Sequence, residues 1–378
     1  MSPIPEQNIQ IYSGHSLFIE MPEKLSLRID REGRWSSYQN GLALYRRTLD
    51  SKIIKVKERS YSLVTLEESV KIIGEISKLL KVISHKIGRS HSELRLSRNT
   101  ETDLKKWILK SIKWLHKPIE IEIQRFNNAY PEGIQILPPD RYRDLVIQPA
   151  LGCPSGQCTF CAFYKNKRFR VLSDIEFDRH IVAVRNLFGE NIGQRNGIFL
   201  DSASALSLSQ RSMIRILDEI AEIISNNKRG ISTFLDPDHA PKRNLKDFIA
   251  LKDRGLSQVT IGLETGCPAL RKKLGKSEDL SILKRTVKAL KDAGIQVALT
   301  ILVGAGGSVF TEDHHNKSIK CLQDLELSKR DIIYLSPLAD SLSPSRLTTE
   351  MAKFKHSLKK VTNARISPYH MERFYYFS

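Results

Sequence analysis

Three of the five cysteines in this chain fall within the stretch "GCPSGQCTFC", as Cys153, Cys158 and Cys161 in the spacing C-x4-C-x2-C. An odd number of thiols with three in one loop is not a disulfide framework. A reducing interior is the simpler setting for it. Two thiols at x2 spacing suit zinc, but a structural zinc site is closed by four ligands. The fourth would have to come from His180, His239, Cys267 or Cys321, all outside the loop. Three thiolates read better as ligands to three irons of a [4Fe–4S] cube, whose fourth iron stays open to a ligand that is not protein. No second cysteine set is present, so no auxiliary cysteine-rich cluster is expected, and Cys267 and Cys321 read as buried structural thiols.

The loop must be carried by something rigid, and the sequence from residue 144 onward supplies it. Short apolar runs alternate with stretches of helical spacing: "DLVIQPALG", "NGIFLDSA", "GISTFLDPD", "QVTIGLETG", "QVALTILVGAGG" and "DIIYLSPLAD" are each followed by a helix pattern. Near-continuous apolar strands imply burial on both faces, as in a parallel sheet wrapped by helices. Ser173 and Glu176 stand as a capping box, and Gly255 and Gly294 as left-handed helix ends. Six strand–helix units are two short of a full eight-unit barrel. The rhythm alone is met by a partial barrel or by a doubly wound sheet. Either way, chemistry sits at the carboxyl ends of the strands. The cysteine loop follows the first strand, Asp201 and Ser202 the second, and Asp236, Asp238 and His239 the third. Glu264 ends the fourth, Gly304 to Gly307 the fifth and Ser336 the sixth.

The preceding part is of another kind. "LSLRIDREGRWSSYQNGLALYRRTLDSKIIKVKER" alternates polar and apolar residues between turn signals, as an antiparallel meander does. "TLEESVKIIGEISKLLKVISHKIG" is an amphipathic helix with Gly88 as its stop. "DLKKWILKSIKWLHK" is a second, with Trp107, Ile108, Ile112 and Leu115 near one face. Trp107 and Trp114 read as packing residues. The expected organisation is an N-terminal α+β domain over 1–135, the strand–helix domain over 136–345, and a C-terminal helix and extension over 346–378 that packs on it.

With these residues in view, the second part resembles the radical S-adenosylmethionine (radical SAM) superfamily, whose usual signature is C-x3-C-x2-C with an aromatic before the last cysteine. Phe160 of "CTFC" matches that aromatic, and "GLETG" resembles the fourth-strand motif whose acid binds the ribose of SAM, here Glu264. "ILVGAGG" resembles the fifth-strand stretch that packs on the adenine, at Gly304. The resemblance covers roughly residues 144 to 345. Two features depart from the pattern. The first cysteine spacing is x4, and "LDSASAL" replaces the glycine-rich second-strand motif, leaving Asp201 or Ser202 to meet the SAM amino group. The resemblance implies a partial (βα)6 TIM-like barrel and a [4Fe–4S] cluster on Cys153, Cys158 and Cys161, with SAM cleaved reductively to methionine and a 5′-deoxyadenosyl radical that takes hydrogen from a substrate. It also implies a flavodoxin- or ferredoxin-type electron donor. No catalytic side chain beyond these is assigned. The rival class is a non-catalytic iron–sulfur or zinc protein acting as scaffold or electron carrier.

Each position also has a plainer use. Glu264 can cap the next helix, as can Asp201 and Ser202. Asp236, Asp238 and His239 touch substrate or, between Pro237 and Pro241, form a turn. His314 and His315 are expected on a solvated helix face. Lys and Arg exceed Asp and Glu by 60 to 42, spread along the whole chain. This balance favours acidic partners and permits RNA, although no RNA-binding module or aromatic-interleaved basic patch is present. A small metabolite or a peptide is equally open as substrate. The basic run "YKNKRFR" after the cysteines suits an acidic electron donor or an anionic substrate. No apolar run is long enough to span a membrane and the start lacks an export signal, so the expected location is cytoplasmic.

Overall fold

The computed structural model describes residues 9–57, 60–87, 94–97, 101–223, 229–338, 342–371 and 374–377. The chain divides into two units. One comprises Met1–Gly133, Arg179–Arg195 and Tyr375–Ser378; the other comprises Ile134–Asp178 and Asn196–Phe374. Among the described residues no helix is long and apolar enough to cross a membrane.

The first unit is built on β1 (Ile9–Ser13), β2 (Leu17–Met21), β3 (Leu25–Ile29), β4 (Trp35–Asn40), β5 (Ala43–Arg47), β6 (Ile53–Lys57) and β7 (Ser60–Leu63). Helix α1 (Leu66–Lys86), β8 (Leu94–Ser97), α2 (Glu101–Leu115) and α3 (Ile119–Ala129) follow. The strands form one sheet in the order β7-β6-β5-β4-β3-β2-β1-β8, antiparallel throughout except that β8 runs parallel to β1. Alternation puts Ile9, Ile11, Leu17, Ile19, Leu27 and Ile29 on one fully buried face. Helical spacing lays Ile72, Ile76, Leu79, Leu80 and Ile83 of α1, with Leu104 and Ile108 of α2, into the same core. Trp107 donates from Nε1 to the Asp30 carbonyl at 2.8 Å, and buried Trp114 has the Lys117 ammonium 4.2 Å from its ring centre. Both therefore serve packing. Helix α1 closes at Lys86, with the Ile87 amide bonded to the Ile83 carbonyl. The expected stop, Gly88, lies outside the described residues. Helix α3 carries the strand-like alternation "IEIEI", and among its residues Phe126 and Ala129 are buried.

The second unit contains β9 (Leu145–Ile147), β10 (Ala150–Leu151), β11 (Arg170–Val171), the start of α4 (Asp174–Phe188), β12 (Ile198–Leu200), α5 (Gln210–Ile223) and β13 (Ile231–Leu235). It continues with α6 (Leu245–Lys252), β14 (Leu256–Glu264), α7 (Pro268–Lys273), α8 (Ser281–Asp292), β15 (Gln296–Val303), α9 (Gly307–Asp324), β16 (Ile332–Pro337), α10 (Pro344–Val361) and β17 (Arg365–Pro368). The sheet order β9-β12-β13-β14-β15-β16-β17 is parallel throughout and follows the chain without reversal. A doubly wound sheet has a point where strand order turns back. Here there is none, and since crossovers are right-handed the helices fall on one face, as in a partial barrel. β17 is a strand beyond the six read from sequence. It is four residues long, ends in proline, and carries no apolar run.

The expected capping box forms: the Ser173 amide donates to Glu176 Oε2 at 2.8 Å and the Glu176 amide to Ser173 Oγ at 3.3 Å. Gly255 and Gly294 adopt φ of +95° and +74° at the ends of their helices. His314 and His315 are not on a solvated face. Both are buried, with ring centres 5.0 and 4.9 Å from Phe354 of α10, and His314 Nδ1 lies 2.8 Å from Thr265 Oγ1. The helix pattern of α9 gave no sign that α10 would cover that side.

Candidate functional site

The cysteine loop is tied at both ends. β10 and β11 pair antiparallel across it, and the Cys153 amide bonds to the Lys167 carbonyl at 3.3 Å. Gly152 has φ +74°, and a Cβ there would stand 2.3 Å from the Arg168 carbonyl oxygen. On its other side the loop meets the segment after α7. The Thr159 amide bonds to the Leu274 carbonyl at 3.2 Å, and Gly275, at φ +74°, lets that segment approach to where a Cβ would be 2.3 Å from the Gln157 carbonyl oxygen. Only glycine fits such approaches at positive φ.

So held, Cys153, Cys158 and Cys161 are half-buried free thiols lining one cleft at the carboxyl ends of the strands. The cleft has about 870 Å³ of space not filled by atoms, part of it open to solvent. The Gly156 amide donates to Cys153 Sγ at 3.3 Å. Burial pushes the Cys158 thiol up to about 11, partly offset by Lys276. No three His, Cys, Asp or Glu side chains among the described residues are gathered so as to hold one metal ion. Three thiols lining one cleft, with a backbone donor to Cys153 Sγ, are the donor types a [4Fe–4S] cube takes.

Phe160 lines the cleft and packs against Leu270, Leu274, Leu302 and Ala305. Glu264 also lines it, through a local irregularity in the sheet. The β14–β15 register shifts between Gly262 and Glu264, and Glu264 takes φ +60°. Bulges re-aim side chains near sites, and a non-glycine residue held in this region costs about 1 kcal/mol or more. Thr300 Oγ1 donates to Glu264 Oε2 at 3.2 Å, and Lys276 Nζ lies 3.9 Å from Oε1. Burial raises the Glu264 carboxyl more than Lys276 and Thr300 lower it. Burial also opposes charge on Lys276, but Glu264, Asp236 and Cys158 outweigh it and keep the ammonium protonated. Lys276 further donates to the Gly262 carbonyl at 3.1 Å. Buried Arg271 braces the same corner, donating to the carbonyls of Leu263 at 2.7 Å and Ser277 at 2.5 Å.

Other expected residues stand elsewhere. Asp201 and Ser202 are buried but do not line the cleft; their neighbour Ala203 does. Asp201 accepts from Gln148 Nε2 at 2.8 Å and from the Tyr164 hydroxyl at 3.3 Å, and burial lifts it to about 6. It thus orients Tyr164, which does line the cleft. Ser202 Oγ accepts from the Ser204 amide at 3.2 Å. Gly304, at φ +91°, is two positions beyond the lining residue Leu302 and does not itself line the cleft. Asp236 and Ser336 reach the cleft. Asp236 also organises the turn, accepting from the Asp238 amide at 3.3 Å with His239 Nδ1 at 3.1 Å. Lys276, Thr260, Thr300, Tyr369 and Met371 were not anticipated. Lys276 hides in the basic run "RKKLGK", and the last two follow β17.

Residues 147–316 match the family model of the Radical SAM superfamily. This match, less than half of the chain, makes the barrel region similar to the radical SAM domain. Among solved structures the chain is similar to the radical S-adenosylmethionine methyltransferase TsrM from Kitasatospora setae with tryptophan substrate and a SAM analogue bound, at 15% identity and TM-score 0.38, covering 52% of this chain and 36% of that one. It is also similar to coproporphyrinogen III oxidase, HemN, from Escherichia coli, at 15% identity and TM-score 0.41, covering 57% and 54%. A third is methylornithine synthase, PylB, at 12% identity and TM-score 0.40, covering 65% and 74%. The chain spans little more than a third of the length of TsrM. At these scores the likenesses carry no argument about substrate. A search of curated proteins gave no match.

Proposed function

We propose that this chain is a radical SAM enzyme whose cluster is held by Cys153, Cys158 and Cys161 and whose substrate enters the cleft beside them. The observation that carries the reading is that these three thiols, Phe160 and Glu264 line one cleft at the strand ends of a barrel similar to the radical SAM domain. When bound, the [4Fe–4S] cluster and SAM would supply one-electron cleavage of the sulfonium to methionine and a hydrogen-abstracting 5′-deoxyadenosyl radical.

The chain's own residues bind, orient and exclude water. Glu264, fixed by Thr300 and Lys276, presents a carboxylate to accept from vicinal ribose hydroxyls. Phe160 offers an aromatic face backed by Leu270 and Leu302. Lys276, the one cation among the described lining residues, offsets the negative charge of thiolates and carboxylates in a poorly solvated place. Tyr164, anchored by Asp201, closes the cleft behind Cys161 with a ring in place of solvent. The reductant would be a small flavodoxin- or ferredoxin-type donor, and the setting a reducing one.

The test is anaerobic reconstitution of the full chain, followed by iron and sulfide assay, dithionite reduction and addition of SAM. Formation of 5′-deoxyadenosine is the expected result. A cluster without that product points to a non-catalytic iron–sulfur scaffold, and bound zinc in place of iron removes both.

A further inference from the structure

The cleft has two unlike sides. On one, Asp236, Glu264 and Cys158 act on the Lys276 ammonium. On the other, Ile136, Phe163, Tyr164, Phe234, Tyr369 and Met371 pack together with Cys153 and Cys161. The buried Asp201 carboxyl reaches this second group from behind, accepting from the Tyr164 hydroxyl at 3.3 Å. Two hydroxyls in the cleft have no hydrogen-bond partner although both are buried: Tyr369 Oη, in a residue 3% exposed, and Thr260 Oγ1, in a residue 1% exposed. Leaving such groups unpaired is costly. The Ser336 hydroxyl does not relieve Tyr369, since it donates to the Tyr369 backbone carbonyl at 3.1 Å.

We infer that the aromatic side is the substrate compartment, and that it takes an uncharged, mainly apolar group carrying one hydrogen-bond acceptor, received by the hydroxyls of Tyr369 and Thr260. This rests on the reading of the cleft as a radical SAM site and names the chemistry of its substrate. A phenol is a hydrogen-bond donor at neutral pH, so Tyr369 donates. A carboxylate in this compartment would face aromatic walls in a cleft that the carboxylates of Asp236 and Glu264 also line. A cation would find those two carboxylates already engaged by His239 and Lys276. A neutral acceptor on an apolar body meets neither penalty and satisfies the orphan donors.

The probe is acetophenone, a small aromatic ring with one carbonyl, compared with ethylbenzene, which has the same outline without the acceptor, and with benzoate. The full chain is labelled with 13C in its methionine methyl groups and titrated by NMR. The Met371 resonance should move on adding acetophenone while those of Met21 and Met213, buried elsewhere, stay in place. Acetophenone should bind about fivefold more tightly than ethylbenzene, the worth of one neutral hydrogen bond, and more tightly than benzoate. Tyr369→Phe should remove the advantage over ethylbenzene while ethylbenzene still binds. Three results would overturn the inference: no movement of Met371, benzoate binding as tightly as acetophenone, or Tyr369→Phe weakening both neutral probes alike. SAM cleavage is measured on the same wild-type preparation. A chain that fails to cleave SAM yet shows the acetophenone preference keeps the compartment and loses the reaction. A chain that cleaves SAM without the preference loses the compartment alone.

Discussion

Replacing Lys276 with Met isolates the buried charge pair at the centre of the site. The Lys276 ammonium lies 3.9 Å from Glu264 Oε1. At the effective dielectric of about 20 that suits buried pairs, the attraction is about 4 kcal/mol. Removing one partner of a buried pair costs about 3–5 kcal/mol, because the other charge is left uncompensated. Glu264 is already raised above its ordinary 4.5 by burial, and without Lys276 it rises further. A carboxyl raised in the folded state stabilises fully below its unfolded value and loses that contribution as pH climbs through the folded one. Lys276→Met should therefore cost little near pH 4.5 and about 3 kcal/mol by pH 8. Glu264→Gln in the same chain should flatten that slope. The assay is urea unfolding followed by circular dichroism at 222 nm across this range. Tryptophan fluorescence separates the units, because Trp35, Trp107 and Trp114 all belong to the first. A loss under about 1 kcal/mol at pH 8, or an equal loss at both ends of the range, would refute the reasoning.

Three further outcomes are expected. Gly275→Ala should lower iron uptake on reconstitution, since its Cβ would meet the Gln157 carbonyl oxygen at 2.3 Å; Gly294→Ala, at the same φ with nothing within 4 Å, should keep the wild-type iron content. Asp201→Asn should stabilise the barrel at pH 7.5 by about 1–3 kcal/mol in urea titrations and give no gain near pH 4, because burial lifts this carboxyl from 3.8 to about 6 and its charged form is the disfavoured one. His180, held down to about 4 by burial against an ordinary 6.5, contributes stability present above 6.5 and lost as pH falls through 4. The tryptophan-reported transition should thus weaken by up to about 3 kcal/mol over that window, and less in His180→Gln.

The cysteine loop, the parallel strands and Glu264 were legible because each leaves a local mark: thiols at short spacing, apolar runs, an acid at a strand end. The plan of the sheet was legible only through the resemblance, since the rhythm of six units suits two topologies. What stayed hidden depends on chain segments distant in sequence. Lys276 becomes buried because Gly275 brings its loop against Gln157, and nothing in "RKKLGK" distinguishes it from a solvated run. Asp201 has the right type at the right strand end, yet the Gln148 and Tyr164 side chains draw it away from the cleft. His314 and His315 read as polar surface until α10 covers them. Tyr369 and Met371 follow a strand too short to announce itself.

The central claim is that the C-x4-C-x2-C loop leaves one iron of a cube open for SAM. Electron paramagnetic resonance of the reconstituted, reduced chain tests it most directly. A cluster signal whose g-values change when SAM is added is expected, and no such signal in Cys158→Ala. Zinc at full occupancy, or a cluster signal that SAM leaves unaltered, would contradict it.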